Sequence, residues 1–296
     1  MGLDDDRSIY EIVTDPALTE PVLIVSLEGW VDAGLGASSA ISTLLESSST
    51  ELVATFDGDL LLDQRARRPM VRIVDGVTTS MTWPEIQLRA GVDLAGRDLL
   101  FLVGPEPDVH WGLFVESVYE LINHFDVELV IGLGAFPAPA PHTRPVKLAA
   151  TVPSSSVRLL EHVGLVPGEL EVPAGLTSAL EMRLEDSGID MITLWARVPH
   201  YVAAMPFPQA AAALVEGVAS VGGLSLSTAG LLSAADTSRR QVDDLVSSNP
   251  EHVAMVRALE VSLDSTEGNP LGVEEMPTGD ELAAELEQFL RGTDES

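Results

Sequence analysis

"PVLIVSLEG" (residues 21–29) is an unbroken apolar run closed by a glycine, and "GLGASSAISTLLESS" (34–48) follows it with apolar residues at helical spacing. A strand that is apolar on both faces belongs inside a sheet covered on both sides, and the helix that follows supplies one cover. This strand-turn-helix unit sets the expectation for the whole chain. "ELVATFD" (51–57) reads as a second strand, and "IQLRAGVDLAGRDLLFLVGPEPD" (86–108) as two more. "WGLFVESVYELINHF" (111–125) places Leu113, Phe114, Val118, Leu121, Ile122 and Phe125 on one helical stripe, and it leads into the buried strand "ELVIGLGAF" (128–136). Helices are predicted over 154–164, 175–188 and 208–220, with a strand at 190–198 between the last two. Alternating strands and helices give a three-layer α/β fold, a mostly parallel sheet with helices on both faces. Residues 22–27, 51–56, 99–103, 129–133 and 191–196 are expected to be strands of one sheet. "VRIVDGVTTSM" (71–81) interrupts the alternation, because Asp75-Gly76 between two short β runs is a two-residue hairpin turn.

The texture changes near residue 236. Residues 236–296 carry 15 acidic and 4 basic residues and few β-branched ones, so the chain divides into an α/β core domain (1–235) and an acidic helical C-terminal extension (236–296). "SRRQVDDLVSSNPEHVAMVRALE" (238–260) reads as a helical hairpin broken at Asn249-Pro250, and "TGDELAAELEQFLRG" (278–292) as a capped terminal helix.

Composition narrows the function. The 296 residues hold 46 acids against 16 bases, a formal charge of −30, which repels nucleic acid and anionic membrane surfaces. With no cysteine, disulfides and thiolate chemistry are excluded, and a metal would need histidines and carboxylates; no metal or cofactor is expected. The acidic N-terminus "MGLDDDRSIYEIV" is unlike a secretion signal, and no apolar run approaches the roughly 20 residues of a membrane span, so a cytoplasmic location is expected. G-x-S-x-G, H-E-x-x-H and P-loop patterns do not occur.

In open α/β sheets ligands gather at the carboxyl ends of parallel strands. Four loops fall there: "EGWVDAG" (28–34), "GPEPDVHW" (104–111), "GAFPAPAPHTRP" (134–145) and "ARVPHYV" (196–202). They supply the candidate ligand-binding residues Trp30, Asp32, Glu106, His110, His142, Arg144 and His200. Trp30 and Asp32 line a pocket, or Asp32 caps the next helix. Glu106 and His110 suit acid or base work, or helix capping. His142 and Arg144 bind an anion, or Arg144 pairs with an acid of the chain. His200 follows Pro199 at a strand end and is either a site residue or a buried structural histidine. Four prolines (Pro137, Pro139, Pro141, Pro145) stiffen the third loop, which leads to the chain's one lysine, Lys147.

The stretches "LEGWVDAGLGAS", "LVGPEPDVHW", "LGAFPAPAPHTRPV", "VPAGLTSAL" and "LWARVPHYVAAMPFPQAAAALV", in this order across residues 9–225, resemble the proteasome assembly chaperone type 2 family. The resemblance implies a fold similar to nucleoside phosphorylases and related hydrolases, self-association as a trimer, a possible protein partner, and a non-enzymatic chaperone or scaffold role. The alternative is an enzyme or ligand sensor of the phosphorylase/hydrolase-like class acting on a small anionic or nucleoside-like ligand. Family members that dock on proteasomes end in a hydrophobic residue, Tyr and one further residue. This chain closes Gly292-Thr293-Asp294-Glu295-Ser296, so docking by that route is not expected.

Overall fold

The computed structural model describes residues 8–29, 31–165 and 168–267. In chain order the elements are β1 (Tyr10–Ile12), β2 (Val22–Glu28), α1 (Gly36–Ser47), β3 (Glu51–Phe56), α2 (Gly58–Leu61), β4 (Met70–Val74), β5 (Val77–Thr82), β6 (Gln87–Val92) and β7 (Asp98–Pro105). They continue as α3 (Trp111–His124), β8 (Leu129–Ala138), β9 (Leu148–Thr151), α4 (Leu176–Leu184), β10 (Asp190–Pro199), α5 (Pro208–Gly222), α6 (Ala229–Ser247) and α7 (Pro250–Glu267). Eight strands form one sheet in the order β1-β3-β6-β7-β2-β8-β10-β9. β7, β2, β8 and β10 run parallel at its centre, and antiparallel strands extend it on both sides. All five stretches expected as strands of one sheet are such strands.

Strand alternation divides the interior in two. Val22 and Ile24, Leu99 and Phe101, Ile131 and Leu133, and Ile192 and Leu194 enter one apolar cluster with α1, α5 and α6. Leu23 and Val25, Leu100 and Leu102, Val130 and Met191 enter the other with α3 and α4. A side-chain period of two thus makes a continuous apolar run the floor of two cores at once. Small residues let α1 and α5 approach closely: a Cβ added at Gly36 would lie 3.0 Å from the Cβ of Ala135 and 3.2 Å from that of Ala210.

The hairpin forms where Asp75-Gly76 predicts it, both residues having positive φ (50° and 80°), as a two-residue turn matched to strand twist requires. It pairs only with itself, as a separate two-stranded sheet, and every residue of β4 and β5 is exposed. The segment expected as a helix at 154–164 is instead 3-10 turns over Ser154–His162. Its serines are drawn elsewhere: Ser154 N–H and hydroxyl reach Glu185, and the Ser156 hydroxyl donates to Asp190 (3.1 Å) and accepts from Met191 N–H (3.2 Å). Such bonds compete with a regular helix. The helical hairpin at Asn249-Pro250 is present, and α6 runs unbroken across residues 235 and 236, burying Leu231 and Val242 against the α5 layer. The helix expected at 278–292 lies outside the described residues. No helix among the described residues is long and apolar enough to cross a membrane.

Candidate functional site

The proline loop leaves the end of β8 and is held at once by both C-terminal helices. His142 is buried, 3% exposed. Its backbone N–H donates to the Tyr201 hydroxyl at 2.8 Å, its Nδ1 lies 2.7 Å from the same oxygen, and its Nε2 lies 3.0 Å from Oδ1 of Asp243 on α6. A carboxylate only accepts, so Nε2 carries the proton and donates to Asp243; Nδ1 then accepts from the Tyr201 O–H. The order carboxylate, imidazole, hydroxyl is that of a relay activating a nucleophile. Here the hydroxyl is fully committed, its proton to Nδ1 and a lone pair to the His142 N–H. Burial, with added repulsion from Glu260 and Asp243 against the opposing His142 N–H, pushes the Tyr201 phenol up to about 12. It stays protonated, and the chain acts as a latch between loop and helix.

Because the phenol ionises more readily in the unfolded chain (10.0) than in the folded one (about 12), its contribution is fully present below pH 10 and is lost as the pH rises through about 12. Urea melts across this range should show wild-type stability falling faster than that of Tyr201→Phe. Parallel curves would show that Tyr201 is not the group responsible.

The neighbouring residues reach α7. Thr143 donates to Glu260 through its hydroxyl, and Arg144 donates to both oxygens of Asp264 (Nε 3.1 Å, Nη2 2.9 Å) and to Glu260 (Nη1 3.3 Å). This bidentate hold keeps the Asp264 carboxyl below its ordinary value. His142 and Arg144 of the rigid loop thus meet acids more than a hundred residues further along the chain.

The other candidates sit apart from this cluster. Asp32 accepts from the N–H groups of Ala37 (2.8 Å) and Ser38 (3.0 Å) and from the Ser38 hydroxyl (2.5 Å), closing the first turn of α1. Trp30 lies outside the described residues. Glu106 accepts the N–H of Leu176 (2.6 Å), the first residue of α4, and so turns to the face opposite α6 and α7. His110 is exposed in the left-handed region (φ 59°) just before α3. His200 stacks edge-on against Tyr201 with centroids 5.4 Å apart, and its buried Nδ1 has no hydrogen-bond partner among the described residues. The strands deliver these loops to one edge, and the sheet then divides them: His142, Arg144 and His200 gather on the α6 side and Glu106 on the α4 side. No group of three or more potential metal ligands exists among the described residues.

Residues 26–246 match the model of the PAC2 family. The chain belongs to the PAC2 family. Among solved structures, this PAC2 protein is similar to a protein of unknown function from Corynebacterium glutamicum (33% identity, covering 90% of this chain and 100% of that one, TM-score 0.84). It is similar to a proteasome-assembly chaperone homologue of Mycobacterium tuberculosis (30% identity, 79% and 99% covered, TM-score 0.73) and to a PAC2 family protein from Streptomyces avermitilis (31%, 80% and 99%, 0.71). A search of curated proteins gives no match.

On the α4 face the PAC2 protein carries polar residues outside the candidate set. Glu181 of α4 accepts hydroxyl bonds from Thr193 (2.5 Å) and Thr151 (2.8 Å), and Trp195 Nε1 donates to the Thr151 hydroxyl (3.2 Å). Burial raises the Glu181 carboxyl above its ordinary value, against the lowering effect of the two threonines. The Trp195 ring lies against Gly134, where an added Cβ would fall 2.3 Å from a ring carbon. The sequence held a signal for this face. In "MITLWARV" the residues alternating with Ile192, Leu194, Ala196 and Val198 are Met191, Thr193, Trp195 and Arg197, too polar for a second purely apolar face.

Proposed function

We propose that this PAC2 protein works as an oligomeric, non-enzymatic chaperone or scaffold, assembling as a trimer through its β4–β5 arm. The observation that carries this reading is the arm itself. A lone two-stranded ribbon is marginal in water, yet Met70, Val71, Ile73, Val74, Val77 and Met81 are all exposed large apolar residues. The occupant we assign is a second copy of the chain. Arg65 and Arg68 stand just before the arm and Arg72 lies within β4, while Arg67 is held by Asp108, and a molecule of charge −30 offers an acidic surface to receive the first three. The family's proteasome assembly chaperone homologue supports a role in holding other proteins, and a partner beyond the oligomer is part of the proposal. The ligand-sensing alternative loses its anchor, since His142 and Arg144 already hold carboxylates of α6 and α7.

Light scattering at micromolar concentration should give three times 31.4 kDa for the wild type. Ile73→Asp combined with Val77→Asp should give a folded species at 31.4 kDa, because burying two carboxylates in an apolar contact costs several kcal/mol. A wild type that is strictly monomeric, or a double variant of unchanged mass, removes the proposal.

A further inference from the structure

Just before α4 the chain runs as "GELEVPA" (168–174), seven consecutive exposed residues that belong to no helix or strand. Their backbone groups make no hydrogen bond among the described residues. Gly168 opens the stretch and Pro173, which has no N–H to donate, closes it, so Glu169, Leu170, Glu171 and Val172 are the part able to pair with a strand. Acidic and apolar residues alternate there. In an extended chain this puts Leu170 and Val172 on one face and Glu169 and Glu171 on the other. Leu170 and Val172 are 52% and 61% exposed and enter neither apolar cluster.

The β4–β5 arm has the complementary need. β5 occupies one edge of β4, and the other edge pairs with nothing among the described residues. A two-stranded ribbon gains stability when a third strand completes an apolar face. Val71 and Ile73 lie on one face of β4, with Met81 of β5 opposite Val71, and Arg72 lies on the other. All are exposed. Arg67, Arg144, Arg158, Arg183 and Arg239 each hold a carboxylate, whereas Arg72 holds none among the described residues. Val71-Arg72-Ile73 therefore offers an apolar, cationic, apolar triplet, and Leu170-Glu171-Val172 an apolar, anionic, apolar one. With Glu171 opposite Arg72, Leu170 and Val172 fall beside Val71 and Ile73 whether the strands run parallel or antiparallel. Facing pairs of opposite charge and of apolar residues are those that stabilise a sheet.

We propose that residues 169–172 of one copy add as a third strand to the free edge of β4 in a second copy, with Glu171 opposite Arg72. The inference rests on the arm-mediated assembly proposed above and names the surface that receives the arm. The occupant is a second copy because each chain presents both halves of the pairing and does not join them within itself. Main-chain hydrogen bonds supply the hold, and the alternating side chains select the register. Arm and receiving segment are different parts of the chain, so every copy gives one and takes one. Such head-to-tail contacts close into a ring.

The test follows dissociation of the full chain on dilution by sedimentation velocity. Arg72→Glu and Glu171→Arg should each raise the dissociation constant about tenfold, because like charges then face each other across the strands. The double variant Arg72→Glu/Glu171→Arg should return close to the wild type. Both side chains are exposed, so the melting temperature of the dissociated chain should be the same in all four proteins. Since the chain has no cysteine, a mixture of Arg72→Cys chains and size-tagged Glu171→Cys chains should, on mild oxidation, form the mixed disulfide in preference to either self-linked pair. A wild type that assembles while Glu171→Arg dissociates no more readily, a double variant no better than the single ones, or self-linked products alone would each overturn this contact and leave the assembly standing. A monomeric wild type would remove the assembly and this contact with it.

Discussion

Gly104→Ala is expected to destabilise the protein by about 3–5 kcal/mol, through a disfavoured backbone conformation and a backbone collision together. Gly104 has φ +123°, and an added Cβ would lie 2.2 Å from the Glu85 carbonyl oxygen and 2.9 Å from the Ile86 Cα. Neither neighbour is the movable end of a side chain, so relief requires β7 to pull away from the segment leading into β6. Gly76→Ala is the comparison, because its φ of +80° is also left-handed but nothing lies within 4 Å of its Cβ position. That change should cost only about 1–2 kcal/mol. Denaturant unfolding of the two variants separates the terms, and a Gly104→Ala protein as stable as Gly76→Ala would disprove the collision. The position also bears on the α4 face, since Gly104 sets the direction in which Pro105 and Glu106 leave the sheet toward Leu176.

His142→Ala should cost about 2–4 kcal/mol, the sum of a cavity and of lost hydrogen bonds at the Tyr201 hydroxyl. The buried ring is the middle member of the chain from Tyr201 to Asp243. Removing the outer members should cost less: Asp243 is half exposed and can be hydrated, so Asp243→Asn is expected near 1 kcal/mol. A double-mutant cycle between His142 and Asp243 should show coupling, and limited proteolysis should find α6 and α7 cut sooner in His142→Ala. Stability within about 0.5 kcal/mol of wild type would mean that the latch holds nothing.

Elements whose apolar pattern is self-contained could be read from the sequence. The continuous run of β2, the stripe of α3 and the Asp75-Gly76 turn each state their structure locally. β9 does not: "LAAT" is short and alanine-rich, and it is a strand because β10 offers it an edge. β1, three residues long, depends in the same way on β3. The serines at 154–156 yielded to partners at 185, 190 and 191, far outside any local window. For the site, the sequence located the loops at the carboxyl edge but carried no record of which face each would turn to. Arg144 finds its acids 116 and 120 residues away, a pairing that only the packing of α7 creates. Trp195 and Arg197 were legible in the alternation of "MITLWARV", where Thr193, Trp195 and Arg197 interleave with Ile192, Leu194 and Ala196, but a strand apolar on one face is easily taken for apolar on both.

The strand order also determines what the chain experiences while it is being made. β2 lies at the middle of the sheet, yet its partners β7 and β8 begin at Asp98 and Leu129, long after its own last residue, Glu28. At the usual elongation rate of about 5–20 residues per second, the most apolar strand waits several seconds on the ribosome with both edges bare. During that interval the nascent chain is a client for folding assistance before it can hold any other protein.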